Sequence, residues 1–413
     1  KLFFTKEQMQ ILDMQLLYPQ KGVCNIGGIM MEKIKDDPTI PIKAMQYVIE
    51  DILIFNIQVK KDNTPYLAKQ PVNIVKWKNI TKPTDEELTE WMGKSFPFYD
   101  EPLYEICYWI GDNYISIYMK AHHIIVDGYS FVLLHDKFKD YICKMYRGLP
   151  VNREIDDKYV IAMHNKEINS TRENEWIHDL MKIDMPENWR IIKNEGIDSR
   201  RKTYVLSKDQ YNTITEYARR KNLTIESIFF GSISIYLSKI RMSNRVCIGR
   251  SMINRKKNDM DIVGMKVNQM PTFIDVLEDD TFDIHCKKVM SILFQMMRVS
   301  SASFTEYMRK NNHSNDYYDT GVSYRNVKLI PAEQFNHLKE ISSGYQEIPL
   351  RFYVNDKKNI IEIQVQYQTT AYKENEIDAT IERLFHIIGQ GISGIRIKQC
   401  SVLAAIDHKL WKL

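Results

Sequence analysis

The sequence predicts an α/β protein built as two subdomains, and three observations carry that reading. Segments with apolar residues every three or four positions alternate, in both halves of the chain, with segments of apolar-polar alternation, the pattern of helices laid against sheets. At 413 residues the chain exceeds what one hydrophobic core usually supports, so surface-to-volume scaling favours two. An apolar fraction of 44% is ample for both. The expected division is residues 1–170 and residues 171–413.

In the first half, a helix is expected over residues 6–17, a strand over 24–31, a helix over 42–51 and a strand over 54–59. Tyr114 to Ala121 then alternates as a half-buried strand does. Behind it Phe131, Leu134, Phe138, Tyr141, Ile142 and Met145 recur at helical spacing, with Gly148 and Pro150 as stop signals. Residues 152–169 are polar and weakly patterned, and read as a connection ending in a helix that carries Trp176. The second half opens with a strand over 203–206, followed by Ser207-Lys208-Asp209-Gln210, a Ser-x-x-Gln capping box that starts a helix. Thr224 reads as another N-cap. The helix behind it carries Ile228, Phe229, Ile233, Ile235, Tyr236 and Leu237, which are core residues rather than a lipid-facing stripe. Further strands are expected over 245–249, 350–354 and 361–367, and long helices over 282–299 and 374–389.

The charge balance excludes some function classes. The 57 basic and 53 acidic residues leave a formal charge of +4, scattered in short clusters, which argues against nucleic acid as the main ligand. Cys24, Cys107, Cys143, Cys247, Cys286 and Cys400 show no CxxC spacing and no grouping with histidine, so no zinc site is expected and the thiols read as those of a reducing compartment. No stretch approaches the roughly 20 uncharged apolar residues of a membrane helix, and the first residues lack the apolar run of a signal peptide. A cytoplasmic protein is expected. Gly27-Gly28 lacks the GxxxxGK spacing of a phosphate-binding loop. The chain starts without methionine, which suggests a piece of a longer protein.

Between the alternating strand and the long helix lies His122-His123-Ile124-Ile125-Val126-Asp127-Gly128-Tyr129. Adjacent histidines at a strand end direct one ring into the core and the other away from it, and an acid four residues after His123 orients the loop. Imidazole is the side chain best suited to move a proton near neutral pH. The segment is thus a strand-loop-helix junction with catalytic potential.

This HHxxxDG segment, with Ser130 after it, resembles the core motif of nonribosomal peptide synthetase condensation domains, members of the chloramphenicol acetyltransferase-like superfamily. Other stretches resemble the same family in order. Phe4-Thr5-Lys6-Glu7-Gln8, Leu17-Tyr18-Pro19 and Asn25-Ile26-Gly27-Gly28 look like its opening, and Phe96-Pro97-Phe98 to Pro102-Leu103-Tyr104 like the segment before its catalytic strand. Val263-Gly264-Met265-Lys266-Val267-Asn268 with Pro271 looks like its GMFVNTLP stretch, and Val322-Ser323-Tyr324-Arg325-Asn326 like its SYxN stretch.

The resemblance implies two acyltransferase-like lobes forming a V, with the HHxxxDG loop where they meet and substrates entering a tunnel from opposite faces. It implies amide formation: an acceptor amine attacks a donor thioester, both substrates being carried on the 4'-phosphopantetheine arms of donor and acceptor carrier proteins. No cofactor or metal is required, because a thioester is already activated and the main aids are orientation and management of one proton. The candidate catalytic residues are His123, Gly128, Asp127 and His122. His123, the second histidine of the motif, either accepts the ammonium proton or hydrogen-bonds the amine as it becomes cationic, while His122 faces the core. Asp127 acts as a brace, since a buried acid survives by pairing with an arginine, and the resemblance names Arg255 as its partner. Gly128 allows close approach of substrate, and a helix N-H beyond it would meet a developing oxyanion. Asn268, Met265, Ser323 and Asn326 are the tunnel candidates. The expected partners are carrier domains and adjoining adenylation domains of a longer synthetase, with the chain itself a monomer.

The chain also departs from the family. Leu53-Ile54-Phe55 places Ile54 where many members carry arginine, Lys266 replaces an aromatic residue, and Gln295-Met296-Met297-Arg298-Val299 stands in a region that usually holds a histidine-bearing motif. A heterocyclising domain would show a DxxxxD pattern, which is missing here. Epimerisation, coenzyme A-dependent acyl transfer and noncatalytic carrier docking are the alternatives that the loop alone leaves open.

Overall fold

The computed structural model describes residues 1–35, 37–166, 168–184, 196–305, 318–326, 338–357 and 359–404. Its residues group into two compact units. The first contains residues 1–168, 253–267 and 330–345, and the second residues 169–252, 268–329 and 346–413. Of the described residues, segments 253–267 and 338–345, which a single cut at residue 170 gives to the second subdomain, therefore group with the first unit.

The first unit is organised around β1 (Asn25–Lys33), β4 (Ile74–Lys76), β5 (Tyr104–Ile110), β6 (Tyr114–His122) and β11 (Leu338–Glu340), in the order β11-β1-β6-β5-β4. Strand β6 is antiparallel to both β1 and β5, with Asn25 opposite His122 and Tyr104 opposite Ala121. Its side chains alternate between two faces, but both faces are buried, where the sequence reading expects a half-buried strand. Ile115, Ile117, Met119 and Ala121 join the main core, and Tyr118 joins a smaller cluster with Trp77, Leu88 and Met92. Helices α2 (Thr39–Asp51) and α4 (Gly128–Tyr146) supply Ala44, Met45, Val48, Leu134 and Phe138 to the same core. Helix α4 ends at Tyr146, and just beyond its cap Gly148, with a φ of +65°, takes the left-handed conformation that glycine adopts at least cost.

Helix α1 (Lys6–Leu17) opens the chain from a Thr5/Gln8 capping box, and α3 (Asp85–Gly93) lies between β4 and β5 in sequence. The strand expected over 54–59 is instead a 3₁₀ turn, Leu53–Asn56, followed by the three-residue β2 (Ile57–Val59), which pairs with β3 (Pro65–Leu67). Ile54 and Phe55 are both buried within that turn, and burial of neighbouring residues does not by itself tell a turn from a strand covered on both faces. The connection over 152–169 contains an unanticipated short helix, α5 (Lys158–Ala162).

The second unit carries a six-stranded sheet in the order β7-β13-β12-β10-β8-β9, formed by β7 (Ser199–Val205), β8 (Arg245–Ile253), β9 (Val267–Asp275), β10 (Thr320–Asn326), β12 (Leu350–Lys357) and β13 (Ile360–Gln368). Strand β10 runs parallel to β8 and β12, and β13 is antiparallel to β12 and β7. Helices α7 (Lys208–Lys221), α8 (Ile225–Arg241), α9 (Phe282–Met297) and α10 (Glu374–Ile392) close its core, after α6 (Thr171–Met181), which carries Trp176. The Ser207/Gln210 capping box and the Thr224 N-cap are both present. Among the described residues no single helix is long and apolar enough to cross a membrane, and α8 is almost wholly buried in the protein core.

Candidate active site

The HHxxxDG segment joins the end of β6 to the start of α4, and the two histidines diverge there as strand alternation demands. His122 is buried, with its ring against Phe96 and Phe98. Its Nδ1 accepts from the Ile124 N–H at 3.1 Å, and its Nε2 lies 2.9 Å from Gln15 Oε1. Burial, helped by neighbouring His123, pushes its pKa down to about 3, so the ring is neutral. His123 is half-buried, and its N–H donates to the Cys24 carbonyl at 2.7 Å. Gln8 Nε2 donates to the Ile124 carbonyl at 2.8 Å.

Asp127 is the N-cap of α4 and wholly buried. Its Oδ1 accepts from Ser130 N at 2.9 Å and Arg255 Nη2 at 3.0 Å, and its Oδ2 accepts from Arg255 Nη1 at 2.6 Å and Lys266 N at 3.0 Å. Burial pushes the carboxyl pKa up, but the Arg255 charge and these donors outweigh it, and the net direction is down. The Arg255 side chain is itself sealed, lies over the Tyr129 ring and also donates to the Ile262 and Gly264 carbonyls. Arg255 thus joins segment 253–267 to Asp127 within the first unit. Ser130 Oγ ties Asp127 to Gly264 and is scaffold.

Gly128 begins α4, and a Cβ built on it would meet nothing within 4 Å. Gly264 is the opposite case: a Cβ there would lie 1.9 Å from the Tyr159 ring. The Tyr159 hydroxyl donates to the Met265 carbonyl at 2.5 Å, which leaves Thr5 Oγ1 as the donor in its 3.1 Å contact with Tyr159 Oη. Met265 is a core side chain of the first unit.

The remaining tunnel candidates lie in the second unit. The Asn268 amide is buried and donates to the Ser300 and Ala302 carbonyls, each at 2.8 Å, so it fixes the chain beside β9. Ser323 is buried on β10, and Asn326 ends that strand at an exposed position. Ile54, which stands where the family arginine is usual, is a first-unit core residue. Among the described residues no group of three His, Cys, Asp or Glu is arranged to hold a metal ion.

Four contributors receive no role from the sequence motifs: Gln8, Gln15, Tyr159 and Glu7, whose Oε1 accepts from Asn254 Nδ2 at 2.7 Å, although Glu7 and Gln8 stand inside the opening motif. The signal that could have found the first two is their seven-residue spacing on the opening helix, which puts both on one face.

Known proteins provide an independent comparison. A plipastatin synthase of Bacillus subtilis (strain 168) is 22% identical over 93% of this chain, and surfactin synthase subunit 1 of the same organism 20% identical over 94%. The chain spans only 16% and 12% of their lengths. Among solved structures, the first condensation domain of the calcium-dependent antibiotic synthetase, in complex with a substrate analogue, matches with a TM-score of 0.80 at 14% identity, over 96% of this chain and 99% of that one. A starter condensation domain of rhizomide synthetase, in complex with C8-CoA and Leu-SNAC, matches with a TM-score of 0.80 at 15% identity over 97% of each chain. A holo four-domain nonribosomal peptide synthetase bound to AMP and glycine matches with a TM-score of 0.82 at 13% identity, over 98% of this chain and 34% of that one. The Condensation domain family profile covers residues 3–403, and with the ordered motifs and the shared fold this places the chain in the condensation domain family of nonribosomal peptide synthetases.

Proposed function

We propose that the chain forms an amide bond between a donor acyl or peptidyl thioester and the amine of an acceptor aminoacyl thioester, each carried on the phosphopantetheine arm of a carrier protein. The acceptor nitrogen attacks the thioester carbonyl carbon. The resulting tetrahedral centre expels the donor thiolate, and the proton lost by the amine balances the one the thiolate gains. Because the leaving group is good, catalysis reduces to holding two tethered substrates in line and managing that proton.

The observation that carries the reading is the division of labour within the loop. Of the three ionisable groups in the motif, His122 is sealed and neutral, Asp127 is sealed and bound to Arg255, and His123 alone keeps part of its surface. His123 is therefore the group that meets the amine. Open space at Gly128, beside the first N–H groups of α4, suits a thioester carbonyl whose oxygen gains charge. The partners would be donor and acceptor carrier domains and the adenylation domains of a longer synthetase, the chain acting as a monomeric segment.

One observation favours a second donor source. The rhizomide starter domain is solved with an acyl-coenzyme A, whose thiol arm is the same pantetheine. Intact-protein mass spectrometry of a donor-loaded and an acceptor-loaded carrier, with acyl-coenzyme A as an alternative donor, separates the two. Condensed product should accumulate on the acceptor carrier with wild-type protein and fall by roughly 100- to 10,000-fold with His123→Ala. Undiminished product from the variant would remove His123 from the chemistry. No product from either donor with wild type would turn the reading toward epimerisation or carrier docking.

A further inference from the structure

The turn that carries His123 is held from both sides by one helix. Gln8 and Gln15 are seven positions apart on α1, close to two helical turns, and so share a face. Gln8 fixes the carbonyl of Ile124, which follows His123, and Gln15 meets the ring of His122, which precedes it. The amide protons on either side of His123 are fixed too. That of His123 goes to the Cys24 carbonyl and that of Ile124 to His122 Nδ1.

These contacts decide the His122 tautomer. A backbone N–H can only donate, so the Nδ1 that faces Ile124 must be bare, and the single proton of the neutral ring sits on Nε2. That proton needs an acceptor, and Gln15 Oε1 supplies it at 2.9 Å. The orientation of the Gln15 amide follows from the same logic. Turned over, its NH₂ would oppose the Nε2–H and its oxygen would oppose the Pro19 carbonyl, which Gln15 Nε2 approaches at 3.5 Å. The two aromatic rings beside it, Phe96 and Phe98, carry no oxygen or nitrogen that could accept in its place.

We propose that Gln15 is a positioning residue for the condensation reaction: it holds His122 in the Nε2–H tautomer, whose bare Nδ1 pins the Ile124 amide and with it the direction of the His123 ring. This rests on the reading of His123 given above. Gln15 touches no substrate in this role and acts through His122. Gln15→Leu keeps the bulk and removes the acceptor. The His122 proton then stays on a buried Nε2 with nothing to accept it, or moves to Nδ1 and confronts the Ile124 N–H, and the turn loosens in both cases.

The test reads the tautomer and the turnover separately. In ¹⁵N-histidine-labelled protein, with the His122 signals assigned by their loss in His122→Asn, nitrogen-proton correlation spectra should show a protonated Nε2 in wild type and a mixture of tautomers in Gln15→Leu. With the loaded carrier pair, Gln15→Leu should lower kcat by roughly 10- to 100-fold and leave KM within about twofold, the signature of a misplaced catalytic group rather than of weakened binding. A proton on Nδ1 in wild type overturns the proposal without any variant, so a Gln15→Leu that fails to fold does not shelter it. Unchanged His122 spectra and unchanged kcat in a folded Gln15→Leu overturn it as well. If wild type turns over no carrier pair while the tautomer still depends on Gln15, the functional reading fails, and the positioning role with it, while the lock on His122 stands.

Discussion

Asp127 and Arg255 show why four positions of spacing after His123 end in an acid. The carboxylate caps α4 through Ser130, and its remaining lone pairs are taken by the Arg255 fork and the Lys266 amide, so loop, helix and segment 253–267 converge on one group. A buried ion pair of this kind adds little net stability, but breaking it leaves an uncompensated charge behind. Arg255 has no margin to absorb the loss, since its Nε is already buried without a hydrogen-bond partner. Asp127→Asn should therefore destabilise the fold by about 3–5 kcal/mol, measured by denaturant unfolding, and adding Arg255→Met should recover part of that loss. An Asp127→Asn variant within about 1 kcal/mol of wild type would mean that the pair is no more than a surface contact.

At the level of elements, segment 253–267 is shaped by close contact with α5. Gly264 lies so near the Tyr159 ring that any Cβ would overlap it, while the Tyr159 hydroxyl bridges Thr5 and the Met265 carbonyl. Gly264→Ala should cost about 1–3 kcal/mol in unfolding experiments, the range for forced overpacking. Gly128→Ala, with open space around its Cβ, should leave stability within about 0.5 kcal/mol and act on turnover alone. Equal destabilisation by the two changes would contradict this account. The same region shows what a sequence makes legible. β6, α4, the Ser207/Gln210 box and the Thr224 cap were readable because each rests on a local period or a fixed local spacing. The pairing of Asp127 with Arg255 was readable only through family resemblance. Helix α5 is too short to display a period, so Tyr159 looked like part of a polar connection. Gln15 and His122 are far apart in the chain, and no local rule joins them.

Across the whole molecule, the buried histidines make stability depend on acid in a way the surface charges do not. His122 in the first unit is held down to about pKa 3 by burial and by His123, and His285 in the second unit to about 4, chiefly by burial. His285 Nε2 is 2.8 Å from Ser234 Oγ, whose own proton goes to the Gly231 carbonyl, so Nε2 carries a proton and donates to that hydroxyl, while burial keeps the ring neutral. A histidine whose folded pKa lies below its unfolded value near 6.5 binds a proton more readily when unfolded. Its stabilising contribution is complete above about pH 6.5 and is lost progressively as pH falls toward the folded value. Asp127, with its folded pKa lowered, behaves differently. Its contribution is full above the ordinary carboxylate range near 4 and fades only below it. Between about pH 7.5 and 5.5 the loss therefore belongs to these two histidines, on the order of 1 kcal/mol each. Two compact units need not melt as one, so the two losses should be separable. Hydrogen exchange across that range should show weaker protection in the core of each unit at the lower pH, and His285→Asn should flatten the pH slope in the second unit while leaving the first unchanged. A slope in the second unit that survives His285→Asn would assign the acid sensitivity to other groups.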